Sequence, residues 1–323
     1  MVETHVAMDN RAAVARRATP KDQRMPIETR WTVSTPASGL YAASVMLGAP
    51  AELADAAPLD AKISELLAFE VETLAEDLEA VGLEPAVFFD HAIALSVRFD
   101  APLEWAKVLV TKTLGPRVAP ELIAARLVRS RMSLEAAFAR AHPGLLEELE
   151  LRSEPLRMQW EARGPGLMKG LQRLFDPDLV VEQADVILVQ PALGGGGGAH
   201  PPYNSLHIEA VLTNPLAELP EVVRLGWLWA QLNLDLPKFQ DALHRDRLHQ
   251  IGRLAMIPAV LAAAEEVELA RLDEATLAAA LTAWRISGAE PGQLLQWWET
   301  LQSGSANWNV ALGALDRMLA GQS

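Results

Sequence analysis

Between His200 and Glu209 the chain reads H-P-P-Y-N-S-L-H-I-E, and most of these residues could do chemistry. The stretch Asn204 to Thr213 alternates in polarity, which predicts a strand. Leu206, Ile208, Ala210 and Leu212 would share one face, and Ser205, His207, Glu209 and Val211 the other. Ser205, His207 and Glu209 are then candidate catalytic residues, in the order nucleophile, base and orienting acid. His200, His207 and Glu209 are candidate metal ligands, since imidazole and carboxylate both bind zinc. Same-face neighbours along a strand stand about 6–7 Å apart, too far for the direct hydrogen bonds of about 3 Å that a triad needs. The expectation for this set is therefore a solvated strand face, with the acid–base or metal reading as its competitor. His244 and His249 are five apart on a predicted helix, hence on different faces, among Asp241, Arg245, Asp246 and Arg247. They read as a solvated charged helix.

The elements that must position these residues are legible on both sides. V-V-E-Q-A-D-V-I-L-V-Q-P-A-L, residues 180–193, is rich in β-branched residues and predicts a second strand. Gly194 to Gly198 lie between the two strands and lead into Ala-His-Pro-Pro-Tyr, not into a helix with Lys-Ser or Lys-Thr behind it. That weighs heavily against a phosphate-cradling loop. Five successive glycines also carry a large ordering entropy. The pair is expected to be a β-hairpin with the glycines as its mobile tip, a place where a lid or a peptide-binding edge could form. Beyond Asn214-Pro215, residues 220–236 predict a helix apolar on nearly all sides, hence buried, with Arg224 and Gln231 as its polar interruptions and Pro237 as its end. Trp227, Trp229, Trp297 and Trp298 read as core.

The rest of the 323 residues is mostly helical text. Residues 1–36 lack a hydrophobic period and predict a disordered arm; 37–150 predict an antiparallel helical array; 151–236 an α+β segment; 237–323 a C-terminal helical bundle. The Gly164-Pro165-Gly166 stretch predicts a break or kink in a helix. The fold class is mostly α with a small β element (α+β): a helical array plus a β-hairpin packed on a buried central helix. The formal net charge of −14 disfavours nucleic acid and anionic membrane as partners and leaves a protein partner open. The absence of cysteine removes disulfides, thiolate zinc sites and a Cys nucleophile. No cofactor is expected. No apolar run reaches the about 20 residues of a bilayer span, and no signal peptide is legible, so a cytoplasmic protein is expected.

The order long helix, strand, edge-like strand, buried helix resembles that of zincin metallopeptidases. In that family the buried helix carries H-E-x-x-H, and the strand before it pairs with the peptide substrate. In Trp227-Leu228-Trp229-Ala230-Gln231, the best frame here, Trp227 and Gln231 stand where the two histidines belong and Leu228 where the glutamate belongs. The resemblance thus implies a pseudo-enzyme whose zinc motif is lost and whose pocket is filled by indole. The chain is also similar to an uncharacterised bacterial protein family, which implies no activity. The leading expectation is a non-catalytic protein, a degenerate zincin-like pseudo-enzyme or an interaction protein. One alternative is a hydrolase with its site at the glycine-rich loop and strand 204–212. Another is a helical scaffold for protein binding.

Overall fold

The computed structural model describes residues 27–49, 60–116, 120–174, 177–240, 243–304 and 307–321. It begins with strand β1 (Glu28–Val33), in a stretch expected to belong to the arm; residues 1–26 of that arm lie outside the described residues. The strand is there because it has a partner. A six-residue strand of mixed polarity shows no period of its own, but Thr29, Trp31, Thr32 and Val33 suit a pleated surface once a neighbour supplies the hydrogen bonds.

Helix α1 (Thr35–Met46) follows at once. Ser34 caps it, its Oγ accepting the N–H of Ala37 at 3.1 Å, and every residue from Ala37 to Val45 is buried. Helix α2 (Ala61–Ala80) starts at Asp60, whose carboxylate accepts the Lys62 N–H at 2.8 Å. Its buried residues, Leu67, Val71, Leu74 and Leu78, recur every three or four positions and form a single stripe. Helices α3 (Pro85–Ser96) and α4 (Pro102–Leu114) each open on a proline, whose missing N–H costs nothing in a first turn. Helix α5 (Pro120–Ala141) packs against α1, α2 and α4, which makes the expected helical array.

Helix α6 (Leu145–Leu174) corrects one expectation. It is a single 30-residue helix that runs through Pro155 and Pro165 without ending. Packing holds it where propensity would stop it. Leu156, Trp160, Gly164, Leu167, Met168, Gly170 and Leu171 are all buried, and a Cβ on Gly166 would stand 2.8 Å from Val267 Cγ1. Gly164 leaves room for the Trp160 ring, Gly166 for Val267 and Gly170 for Ala263.

The sheet also differs from the expected hairpin. Strands β2 (Gln183–Val189) and β4 (Ser205–Glu209) pair in parallel, with Ile187 opposite His207 and Val189 opposite Glu209. The glycines are not a loose tip between them: Gly197 and Gly198 belong to strand β3 (Gly197–His200), antiparallel to β4 on its far side. The β-hairpin is β3–β4, closed by a short turn at Pro201–Tyr203 with Asn204 left-handed at φ 44°. With β1 parallel to β2, the sheet order is β1-β2-β4-β3. Residues 190–196 must therefore pass over the C-terminal end of β4 to carry the chain from β2 to β3.

Helix α7 (Glu221–Trp229) lies against β3 and β4, and all nine of its residues are buried, as its apolar pattern requires. It stops at Trp229, not at Pro237. Leu232, Leu234 and Leu236 donate to the carbonyls three residues back, a tightening into successive turns, while the Gln231 side chain takes the Trp227 carbonyl at 2.9 Å. A short helix α8 (Pro237–Gln240) leads to α9 (Arg245–Glu266), which packs on both α6 and α7. Helices α10 (Glu274–Ala283), α11 (Pro291–Ser303) and α12 (Trp308–Ala320) complete the C-terminal helical layer around α9. The protein is mostly α-helical with one small sheet, and no helix among the described residues is long and apolar enough to cross a membrane.

Candidate functional site

The polar face of β4 is not solvated. Ser205 and Glu209 are fully buried and His207 is 7% exposed. A buried polar group is costly unless it is hydrogen-bonded, so each must be accounted for. Glu209 sits at the C-terminal end of β4, under the crossing segment. Its Oε1 accepts the N–H groups of Ala192 and Leu193, both at 2.7 Å, and the Tyr41 hydroxyl at 2.9 Å. Its Oε2 accepts the Gly195 N–H at 2.5 Å. The carboxylate thus ties down the glycine-rich loop and α1 together. From the other side Arg285 donates to the carbonyls of Gly195 at 2.9 Å and Leu193 at 3.1 Å. The loop is clamped between an anion that takes its N–H groups and a cation that takes its C=O groups.

The glycines are needed for this packing. Gly194 and Gly195 have φ of 73° and 133°, in the region L side chains avoid. A Cβ on Gly197 would lie 2.5 Å from the His207 carbonyl oxygen, and one on Gly198 2.7 Å from His207 Cε1.

His207 and His200 form a pair of their own. His207 Nδ1 and His200 Nε2 are 2.8 Å apart, and His200 Nδ1 is 2.9 Å from the carbonyl oxygen of Asp90 on α3. Burial holds both imidazoles in the neutral form. His200 is lowered to about 4 by desolvation, and His207 well below its usual value by desolvation and then by His200. Tyr41 packs on His207 with ring centroids 5.0 Å apart. Desolvation, with the Glu209 charge behind it, pushes the Tyr41 phenol well up.

These groups border a cavity of about 290 Å³ between the sheet and the helices. Tyr41, His207, Arg224, Trp227, Arg253 and Arg285 contribute to its wall, together with Gly196–Gly198. Trp227 and Trp284 stack at 4.8 Å on one side, and Arg253 lies over the Trp227 ring at 5.6 Å. The buried face of α7 is therefore packed by indole yet also opens onto a space with ionisable neighbours. Arg224 is the basic residue in that helix. It donates to the Ala283 carbonyl at 3.1 Å, and its Nε lies 3.3 Å from Glu221 Oε2 without hydrogen-bond geometry. Burial lowers the Arg224 pKa and raises that of Glu221, each opposed by the other's charge.

The sequence candidates are thus brought together only in part. Ser205, His207 and Glu209 share a face, but Ser205 Oγ has no hydrogen-bond partner, His207 bonds to His200, and Glu209 bonds to Tyr41 and the loop. They do not form a triad. Nor do His200, His207 and Glu209 converge as ligands, because His200 has both ring nitrogens in hydrogen bonds. Among the described residues no three of His, Asp or Glu stand as a metal-binding cluster. The expectation of a solvated strand face is overturned as well, by the burial of all three.

Tyr41, Arg253, Trp284 and Arg285 were not legible as site residues. Arg224 carried a signal, a charge inside an apolar helix. Arg285 carried another that only its backbone reveals. It sits just past α10 with φ 54°, where the Ile286 N–H bonds to the Leu281 carbonyl at 2.8 Å and the Arg285 N–H to Thr282 at 3.2 Å. That is the helix-ending position glycine normally takes. An arginine held there at a cost of about 1 kcal/mol or more points to a task for its side chain. No protein-family model, curated protein or solved structure matches the chain.

Proposed function

We propose that this cavity binds a small organic anion, with a flat unsaturated body against Trp227 and Trp284 and a carboxylate or phosphate toward the arginines. The observation that carries the reading is that Arg224, Arg253 and Arg285 line one cavity, outnumbering its two aspartates, Asp90 and Asp235, in a chain with 42 acidic and 28 basic residues. Guanidinium groups near a low-dielectric wall favour an anion far more than the same groups in water. The volume suits a ligand of roughly ten heavy atoms at the lower end of ordinary small-molecule sites. Benzoate and inorganic phosphate are suitable first probes, read by tryptophan fluorescence and thermal shift. Benzoate is expected to quench the emission saturably, and Arg253→Met to weaken binding by about tenfold. No saturable signal from either anion, or an equal affinity in Arg253→Met, overturns the reading.

A second reading keeps the non-catalytic protein with a degenerate zincin-like centre. It is supported by the burial of Trp227 and Leu228 on α7 beneath the β3–β4 hairpin, with Gln231 buried in the turn just past its end. Stoichiometric zinc in the purified protein contradicts it.

A further inference from the structure

The histidine pair defines a hydrogen-bond direction without any reference to ligand. The Asp90 carbonyl can only accept, so His200 Nδ1 carries the proton of that contact. His200 Nε2, in a neutral ring, is then bare and must accept from His207 Nδ1–H. His207 has thereby used its one proton, and its Nε2 is left as a lone pair. That nitrogen has no partner among the described residues, and His207 lies on the cavity wall. Three elements cooperate here: α3 supplies the carbonyl, β3 the relay and β4 the acceptor. Close packing of Gly198 and Tyr41 against the ring keeps it from turning over.

We infer that His207 Nε2 is a preset acceptor for a protic group, a hydroxyl or N–H, on the bound molecule, and that His200 is the residue that positions it. The inference rests on the cavity being the anion site proposed above, and it narrows the ligand class to hydroxy- or amino-substituted organic acids. A carboxylate alone would meet the arginines and leave the imidazole unsatisfied. A ligand that adds a donor completes both sides. The aromatic wall and the volume favour a ring as the spacer between the two groups.

Two measurements on the full chain test this. The first is nitrogen NMR of the protein labelled with ¹⁵N-histidine at neutral pH, without ligand. His207 is expected as the Nδ1–H tautomer with a bare Nε2, and His200→Gln to turn it into a tautomer mixture. A His207 ring protonated at Nε2 overturns the inference whatever the cavity binds. The second compares benzoate with its three hydroxybenzoate isomers. At least one isomer is expected to bind about tenfold more tightly than benzoate. His207→Gln should abolish that preference, read as the ratio of hydroxybenzoate to benzoate affinity within the variant itself. Equal affinity of all four, or a preference that survives His207→Gln, refutes the acceptor role. Should His207→Gln fail to fold, the native Nε2 resonance decides, since it must move with the preferred hydroxybenzoate and stay with benzoate. A chain that binds no benzoate at all refutes the anion reading by itself; an inverted tautomer refutes the acceptor by itself.

Discussion

Strands β2 and β4 are neighbours, parallel and both buried, yet they are made of opposite material. In β2, Val186 to Val189 are apolar and fully buried. In β4, Ser205, His207 and Glu209 alternate with Leu206 and Ile208, and all five are buried. The first strand is held by shape and area, the second by partners. What the difference teaches is that alternating polarity in a strand does not by itself mean water on one side. A second polar layer can stand there instead, and then the strand is a site.

The sharpest way to break this comparison is Glu209→Ala. It leaves three loop N–H groups and the buried Tyr41 hydroxyl without an acceptor, and takes a counter-charge from Arg224. The expected loss is about 3–5 kcal/mol, as large as that of truncating a core aliphatic on β2 such as Ile187→Ala. Equilibrium denaturation of the two variants side by side measures it. A loss below about 1 kcal/mol for Glu209→Ala would falsify the role of β4 as an anchor.

The next effect is one that β2 cannot show, a dependence on pH. In the unfolded chain His200 titrates near 6.5, and in the folded protein near 4. Between these values the unfolded state binds the extra proton, so stability must fall as pH falls. The decrease expected from His200 is on the order of 3 kcal/mol across that window, and His207 adds to it in the same direction. Above about pH 6.5 the contribution is complete and flat. Denaturation midpoints measured from pH 7 to 4 should show the slope, and His200→Gln should make it shallower. A slope unchanged in that variant would place the cause elsewhere.

The smallest effect concerns the glycines that β4 leans on. Gly197→Ala places a methyl against the His207 carbonyl and the Leu228 side chain, which costs about 1–3 kcal/mol if the hairpin is packed as described. A mobile tip would accept the same methyl with no loss. Thermal denaturation separates the two outcomes.

Much of the fold was readable along the chain. The stripe of Leu67, Val71, Leu74 and Leu78 and the cap at Asp60 needed only the period of a helix and the hydrogen-bonding habit of a carboxylate. The buried α7 followed from apolar residues on every side. The errors have one physical source. Pro155 and Pro165 inside α6, the strand character of residues 28–33 and the parallel pairing of β2 with β4 are each stabilised by contacts from far along the chain. The candidate site divides in the same way. His200, His207 and Glu209 could be picked out by type and spacing, and Arg224 by its oddness in an apolar helix. Their partners could not: Tyr41 lies 168 residues before Glu209, and Arg285 lies 90 after Gly195.

Composition and periodicity determined the helical class, the place of most helices, the burial of the central one and the short list of chemically able residues, because these depend on neighbours within one or two turns. The tertiary structure alone decided that neither side of β4 meets water, whether the glycines move or pack, and which way the protons of two histidines point. Those depend on what approaches from elsewhere in the chain, and a hydrogen-bond partner more than a hundred residues away leaves no periodic trace.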